Sequence, residues 1–359
     1  MSTFHIDTMR STVCLAMVLL VFQSLCGICI AQDRPIMTIK MSGSERAYIA
    51  EFSPDGTKLL TCGDNGILWD TATAQRLLTL PRHEWGNIGV AAFSPNGRNA
   101  ITGTLIYEAI LWDLETGEAI HKFISPSVDA PYTLPGRIDG VAFSRDGRQV
   151  ITGDTENILQ IWDVQTGEEI QRYEHKTSGF FLHGFVLLPN GSDLIGGVGP
   201  TKESGFRIFD IETGETLPQH FEGMYSFSVS RDGKRVLTNG GRLYDVETGD
   251  LLHRFDVDSA HISNSVALSP DGKLAILGSA SNGGRTYPRM IFNAEDGTLL
   301  RSHPLSGETG DPHSLDKQVL FAPDGKRYIT INGDTSVYFW DISDLAAGVK
   351  QAEEYEKRE

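Results

Sequence analysis

Phe52-Ser-Pro-Asp-Gly56 decides how this chain is read, because the chain writes it again and again. The further copies are Phe93-Ser-Pro-Asn-Gly97, Phe143-Ser-Arg-Asp-Gly147, Leu187-Leu-Pro-Asn-Gly191, Val229-Ser-Arg-Asp-Gly233, Leu268-Ser-Pro-Asp-Gly272 and Phe321-Ala-Pro-Asp-Gly325. Their final glycines lie 41, 50, 44, 42, 39 and 53 residues apart. Proline, where present, pre-sets φ for the first turn position, Asp or Asn bonds the local backbone, and Gly accepts a positive φ. The result is a three-residue hairpin loop. The runs it joins alternate as strands do, as in Lys58-Leu-Leu-Thr-Cys62 and Arg148-Gln-Val-Ile-Thr152. A period near forty built from short strands is the signature of a propeller.

A second motif follows each turn: Ile67-Leu-Trp-Asp70, Ile110-Leu-Trp-Asp113, Gln160-Ile-Trp-Asp163, Arg207-Ile-Phe-Asp210, Arg242-Leu-Tyr-Asp245, Met290-Ile-Phe-Asn293 and Tyr338-Phe-Trp-Asp341. An aromatic at one fixed place buries a large apolar area between neighbouring sheets. The Asp or Asn behind it can accept backbone N–H groups of the next turn. Four of those turns contain Thr-Gly, in Glu115-Thr-Gly117, Gln165-Thr-Gly167, Glu212-Thr-Gly214 and Glu247-Thr-Gly249. Two hairpins per unit make four strands, here called a to d.

This pattern resembles the WD-repeat (WD40-type) propeller family, over about residues 36–345. The resemblance implies an all-β fold: a seven-bladed β-propeller of four-stranded antiparallel blades, used as a rigid scaffold for protein assemblies. The family often links its Trp to a His before strand a and an Asp in the b–c turn. Asp64, Asp154 and Asp334 fit the Asp place, and His83 and His175 the His place. Blades four to six depart from the pattern, with Phe or Tyr for Trp. Pro35-Ile-Met-Thr-Ile-Lys40 matches the strand-d sequences Arg76-Leu-Leu-Thr-Leu80 and Leu251-Leu-His-Arg-Phe255, while the chain stops soon after strand c of its last unit. Residues 35–40 should therefore complete blade seven and close the ring.

Residues 1–31 are expected to be an export segment, 32–348 the propeller and 349–359 a charged tail. No charge falls between Arg10 and Asp33, and Ala31 offers a small residue before a cut, as in a secretory signal. An uncleaved anchor is the alternative, in which residues 12–31 would tether the protein to a membrane. Cys14, Cys26 and Cys29 lie in that segment, so a mature chain would keep Cys62 alone and no internal disulfide. Export without disulfides suits a bacterial envelope protein, periplasmic or extracellular. The net charge of −16 argues against nucleic acid, which needs clustered Lys and Arg.

No serine-hydrolase elbow, Walker loop, zinc motif or calcium loop occurs, so the sequence points to no catalytic residue, metal or cofactor. Loop length is more telling. The a–b and c–d turns, short and uniform, share one face of the disc. The b–c and d–a connections share the other and carry the long insertions at 124–136, 196–205, 279–289 and 303–316. The expected function is a non-catalytic scaffold that presents this face to a protein partner. Trp85, Tyr107, Tyr132, Arg137, Lys202, Arg285, Tyr287, Arg289 and His313 are its candidate contacts, since Tyr, Trp and Arg commonly anchor interfaces. The rival is a periplasmic propeller enzyme, lactonase-like or quinoprotein-like, with its site in the central channel. The Asp-x-x-Thr-Gly-Glu segments are similar to quinoprotein repeats.

Overall fold

The computed structural model describes residues 34–43, 45–84, 86–104, 106–124, 137–156, 158–174, 184–198, 205–223, 226–257, 263, 265–282, 285–303 and 315–346. The expected export segment and charged tail lie outside them. Among the described residues the turn motif does what its chemistry demands. In blade one the Gly56 N–H donates to the Ser53 carbonyl at 2.8 Å, the Lys58 N–H to Ser53 Oγ at 2.9 Å, and Ser53 Oγ to Asp55 at 2.6 Å. Gly56, with φ 72°, takes the left-handed position that a side chain disfavours. The Asp of the second motif is also a turn former: Asp113 Oδ1 accepts the N–H groups of Glu115 and Thr116 at 2.7 and 3.0 Å. These bonds hold its carboxyl below the usual range.

Two such turns per unit fold the described chain into seven four-stranded antiparallel sheets and one small hairpin. Blade one shows the order: strand a Ala47–Phe52, b Lys58–Gly63, c Gly66–Asp70 and d Arg76–Leu80. Blades two and three begin with Ile88–Phe93 and Ile138–Phe143, and blades four to six with the shorter Phe185–Leu187, Phe227–Val229 and Val266–Leu268. Blade seven is composite. Its a, b and c strands are Asp316–Phe321, Arg327–Asn332 and Val337–Asp341, and its outer strand is Met37–Ile39 from the other end of the chain. Met37 pairs with Phe339 and Ile39 with Val337, and the Ile36 N–H donates to Phe339 O at 2.8 Å. The expected closure is thus present, with a three-residue strand inside residues 35–40.

The core is not one mass. It is seven apolar clusters among the described residues, each shared by two successive blades. Ile39, Phe52, Trp69 and Phe339 sit in the seam between blades seven and one, and Phe123, Phe143 and Trp162 in the seam between two and three. A sheet covered on both faces needs near-continuous apolar strands. Leu59 to Gly63 and Ile67 to Trp69 are accordingly buried throughout.

The aromatic of the second motif is matched to strand b. Trp69, Trp112, Trp162 and Trp340 donate their indole N–H to Thr61, Thr102, Thr152 and Thr330 at 2.8, 2.7, 2.9 and 3.1 Å. In blades four and six, where Phe209 and Phe292 have no N–H, the matching strand-b residues are Gly196 and Leu277, with nothing to satisfy. Blade five is the mismatch. Tyr244 replaces the Trp while Thr238 is kept at the matching strand-b place, and the Thr238 hydroxyl is buried with no hydrogen-bond partner among the described residues.

Two outcomes check this account. Trp162→Phe strands the Thr152 hydroxyl and should cost about 1–3 kcal/mol, while Thr152→Val on top of it should restore roughly 1 kcal/mol, read as a double-mutant cycle in urea. Deleting residues 32–41 removes the closing strand and the buried Ile39, and should lower the melting temperature by roughly 5–10 °C. An unchanged melt would refute the closure.

Candidate binding face

Because strands alternate in direction, every b–c and d–a connection emerges on the same side of the disc. Tyr107 sits in the b–c turn of blade two with φ 46°, an uncommon left-handed position for a residue with a side chain. Its hydroxyl donates to Glu156, in the b–c turn of blade three, at 3.1 Å. Adjacent turns on this face are therefore tied to each other. Arg137 opens strand a of blade three and forms a two-pronged ion pair with Asp139, one prong being 2.9 Å. The pair raises the guanidinium above its ordinary value, Asp139 outweighing the cost of burial. Arg137 and Asp139 line a cavity of about 500 Å³ at the channel mouth, together with Tyr48, Lys317 and Gln318. The Lys317 ammonium lies 5.5 Å from the centre of the Tyr48 ring.

Arg289 corrects the expectation of an exposed contact. It is 1% exposed, and its guanidinium meets Asp316 at 2.6 and 3.0 Å. It also lies 4.6 Å from the Trp340 ring centre, in the seam between blades six and seven. Burial opposes its charge, but Asp316 and Tyr328 prevail and hold it firmly protonated. Ser279 completes the arrangement: its N–H donates to Asp316 Oδ2 at 2.8 Å and its hydroxyl accepts the Asp316 N–H at 2.7 Å. The 279–289 insertion is consequently not a plain loop. Its two ends are core, and between them Ala280–Asn282 and Arg285–Tyr287 pair as a hairpin. Arg285 lies in the second strand of that hairpin, and Tyr287 is buried at its base. Trp85, Tyr132, Lys202 and His313 lie outside the described residues.

Among the described residues, blade two carries a network of the His–Asp kind in altered form. His83, before strand a of blade two, contacts Thr102 Oγ1 at 2.7 Å and Glu108 at 2.8 Å, and Thr102 also holds Trp112. Burial pushes the His83 imidazole below its usual value although Glu108 pulls the other way. Glu108 thus takes the place assigned to an Asp. Asp64 instead makes an exposed ion pair with Arg82 at 3.3 Å, Asp334 accepts from the Tyr338 hydroxyl at 2.8 Å, and Asp154 caps the backbone of Glu156 and Ile158, both at 3.0 Å. His175 lies outside the described residues. Among the described residues no three His, Cys, Asp or Glu side chains gather as metal ligands would, and no helix is long and apolar enough to cross a membrane.

Sequence reading missed Asp139, Lys317, Gln318 and Glu108. The first three stand on inner strands, and which of two alternating faces looks into the channel is not written in a strand of this length. Glu108 opens a strand like any surface residue. Only its distance of 25 positions from His83, about half a repeat, could have hinted at it.

The fold is that of a seven-bladed β-propeller of four-stranded antiparallel blades. Residues 130–163, essentially blade three, match the family described as WD domain, G-beta repeat. Among curated proteins, the human (Homo sapiens) intraflagellar transport protein 122 homolog is 34% identical over 80 residues. That stretch spans 22% of this chain and 6% of the human protein.

The seam pair makes a sharp prediction. Asp316→Asn leaves Arg289 buried and uncompensated, and should cost about 3–5 kcal/mol in denaturant unfolding. Arg289→Met with Asp316→Leu should fall much closer to the unmodified protein, because no lone charge then remains inside.

Proposed function

We propose that this protein is a non-catalytic scaffold that binds a protein partner through its b–c and d–a face. The observation that carries the reading is the segregation of the long connections. The insertions at 124–136, 196–205, 279–289 and 303–316 all join strands b to c or d to a, whereas every a–b and c–d turn is short. Physical necessity explains uniform turns, since each must close a tight hairpin. Extra length is carried on the other side, and it is there that a partner would be met. The WD-domain match in blade three and the local likeness to the human intraflagellar transport protein 122 homolog support an interaction role. We further propose export to a periplasmic or extracellular location, on the apolar run at 12–31.

The test must respect the Ser279–Asp316–Arg289 core. Replacing only residues 281–286 with a Gly-Ser connector should leave the melting temperature within about 2 °C and weaken capture of an isolated partner by about tenfold or more. Altering the Glu115-Thr-Gly117 turn on the opposite side to Asp-Asn-Gly should leave capture unchanged. The opposite pattern would overturn the assignment of the face.

A further inference from the structure

The inner strands enclose a second cavity of about 610 Å³, reached from the side of the short turns. It meets the channel mouth described above at Val186, Ser226, Phe227, Ser265 and Gln318, which line both. That volume is in the range of pockets that hold small molecules, about 300–1,000 Å³. Much of its polar lining is already committed. Gln318 accepts the Ala50 N–H at 2.6 Å, Ser228 the Leu268 N–H at 2.9 Å, and Ser265 the Val319 N–H at 2.9 Å. These side chains satisfy backbone donors between neighbouring inner strands, as buried polar groups must.

Glu51 differs from them. It stands on strand a of blade one and lines the cavity beside Ala92 and Phe93 of blade two. Among the described residues no cation and no hydrogen-bond donor meets its carboxyl. The side chain is part-buried and open to the cavity, and the apolar walls beside it raise the cost of keeping it charged. We propose that the channel is a binding site for a small primary ammonium group, its charge on Glu51 and its alkyl stem against Phe93, Leu320 and their apolar neighbours. Such a group supplies what the carboxyl lacks, three donors and a positive charge.

The surroundings of Glu51 leave its charge state to the ligand. Partial burial pushes its carboxyl up to about 7. The adjoining strand b contributes Cys62, whose thiol burial holds protonated. Strand a of blade two, Ile88–Phe93, carries no titratable side chain. In blade seven, Lys317 leans over Tyr48, Asp316 is taken by Arg289, and Arg327 of strand b is paired with Asp324. Arg231 lines the outer end of the cavity, beside a groove that also holds Asp271 and Asp324. An ammonium of pKa near 10 stays charged from pH 6 to 8, while Glu51 ionises across that interval. Binding should therefore strengthen as pH rises, and should drive a proton off Glu51 at pH 6.

Calorimetric titration with n-butylammonium chloride tests this, with n-butanol as the neutral probe. The full chain should bind one equivalent of n-butylammonium, about tenfold more tightly at pH 8 than at pH 6. Glu51→Gln, of nearly equal volume, should lose about tenfold at pH 8 and all of the pH dependence, with n-butanol unaffected. Should that variant fail to fold, the unmodified protein still answers: heats at pH 6 measured in two buffers of different ionisation enthalpy should report release of a proton. Binding of Nα-acetyl-lysine amide with equal affinity would assign the ammonium to a lysine side chain of a polypeptide, and its exclusion would assign it to a free amine. No binding, binding untouched by Glu51→Gln, or affinity independent of pH would overturn the proposal.

Discussion

The seam between successive blades is the constraint on which everything else rests. A four-stranded sheet of this size cannot bury its apolar faces alone. Each blade leaves both faces to its neighbours, and the ring exists because the last face finds the first. Aromatic residues set the thickness of the seam: Phe123 lies 5.1 Å from Trp162, and Phe255 4.8 Å from Phe292, centre to centre. Several polar groups in the seams form linked sets, such as His83–Thr102–Trp112 with Glu108, or Arg289–Asp316 with Ser279. With the frame so fixed, variation is confined to the connections.

This division explains what could be read from sequence. The hairpin turns were legible because their chemistry is local: Ser53, Asp55 and Gly56 bond within a few positions of each other. Blade seven was legible because strand d has a recognisable composition wherever it occurs. Networks across seams were not, since Arg289 meets Asp316 from 27 positions away and Glu108 meets His83 from 25. Arg289 was misplaced for a related reason. An arginine at the end of a Gly-rich insertion looks like surface, and only a carboxylate from the next blade makes its burial tolerable. Glu51 shows the same limit in reverse, for strand a alternates faces regardless of whether one of them opens on a cavity.

The two sides of the disc have different kinds of freedom. On the short-turn side each a–b glycine stands against the neighbouring turn: a Cβ on Gly56 would lie 3.3 Å from Pro323, and one on Gly233 2.4 Å from Pro189. Length cannot be added there without disturbing the adjacent blade. On the other side, the described b–c turns of blades two and three meet through the side chains of Tyr107 and Glu156. Geometry thus permits diversification on one side, and the sequence has used it there.

The composite blade also bears on how the protein is made. Met37–Ile39 leaves the ribosome about 300 residues before the strand it must pair with. At ordinary rates of synthesis that is a delay on the order of tens of seconds. For that time a growing row of blades carries one uncovered apolar face at its leading end, and its founding strand has no ladder to join. A strand of only three residues is a poor template for a stray chain, so its brevity protects the nascent protein during the wait.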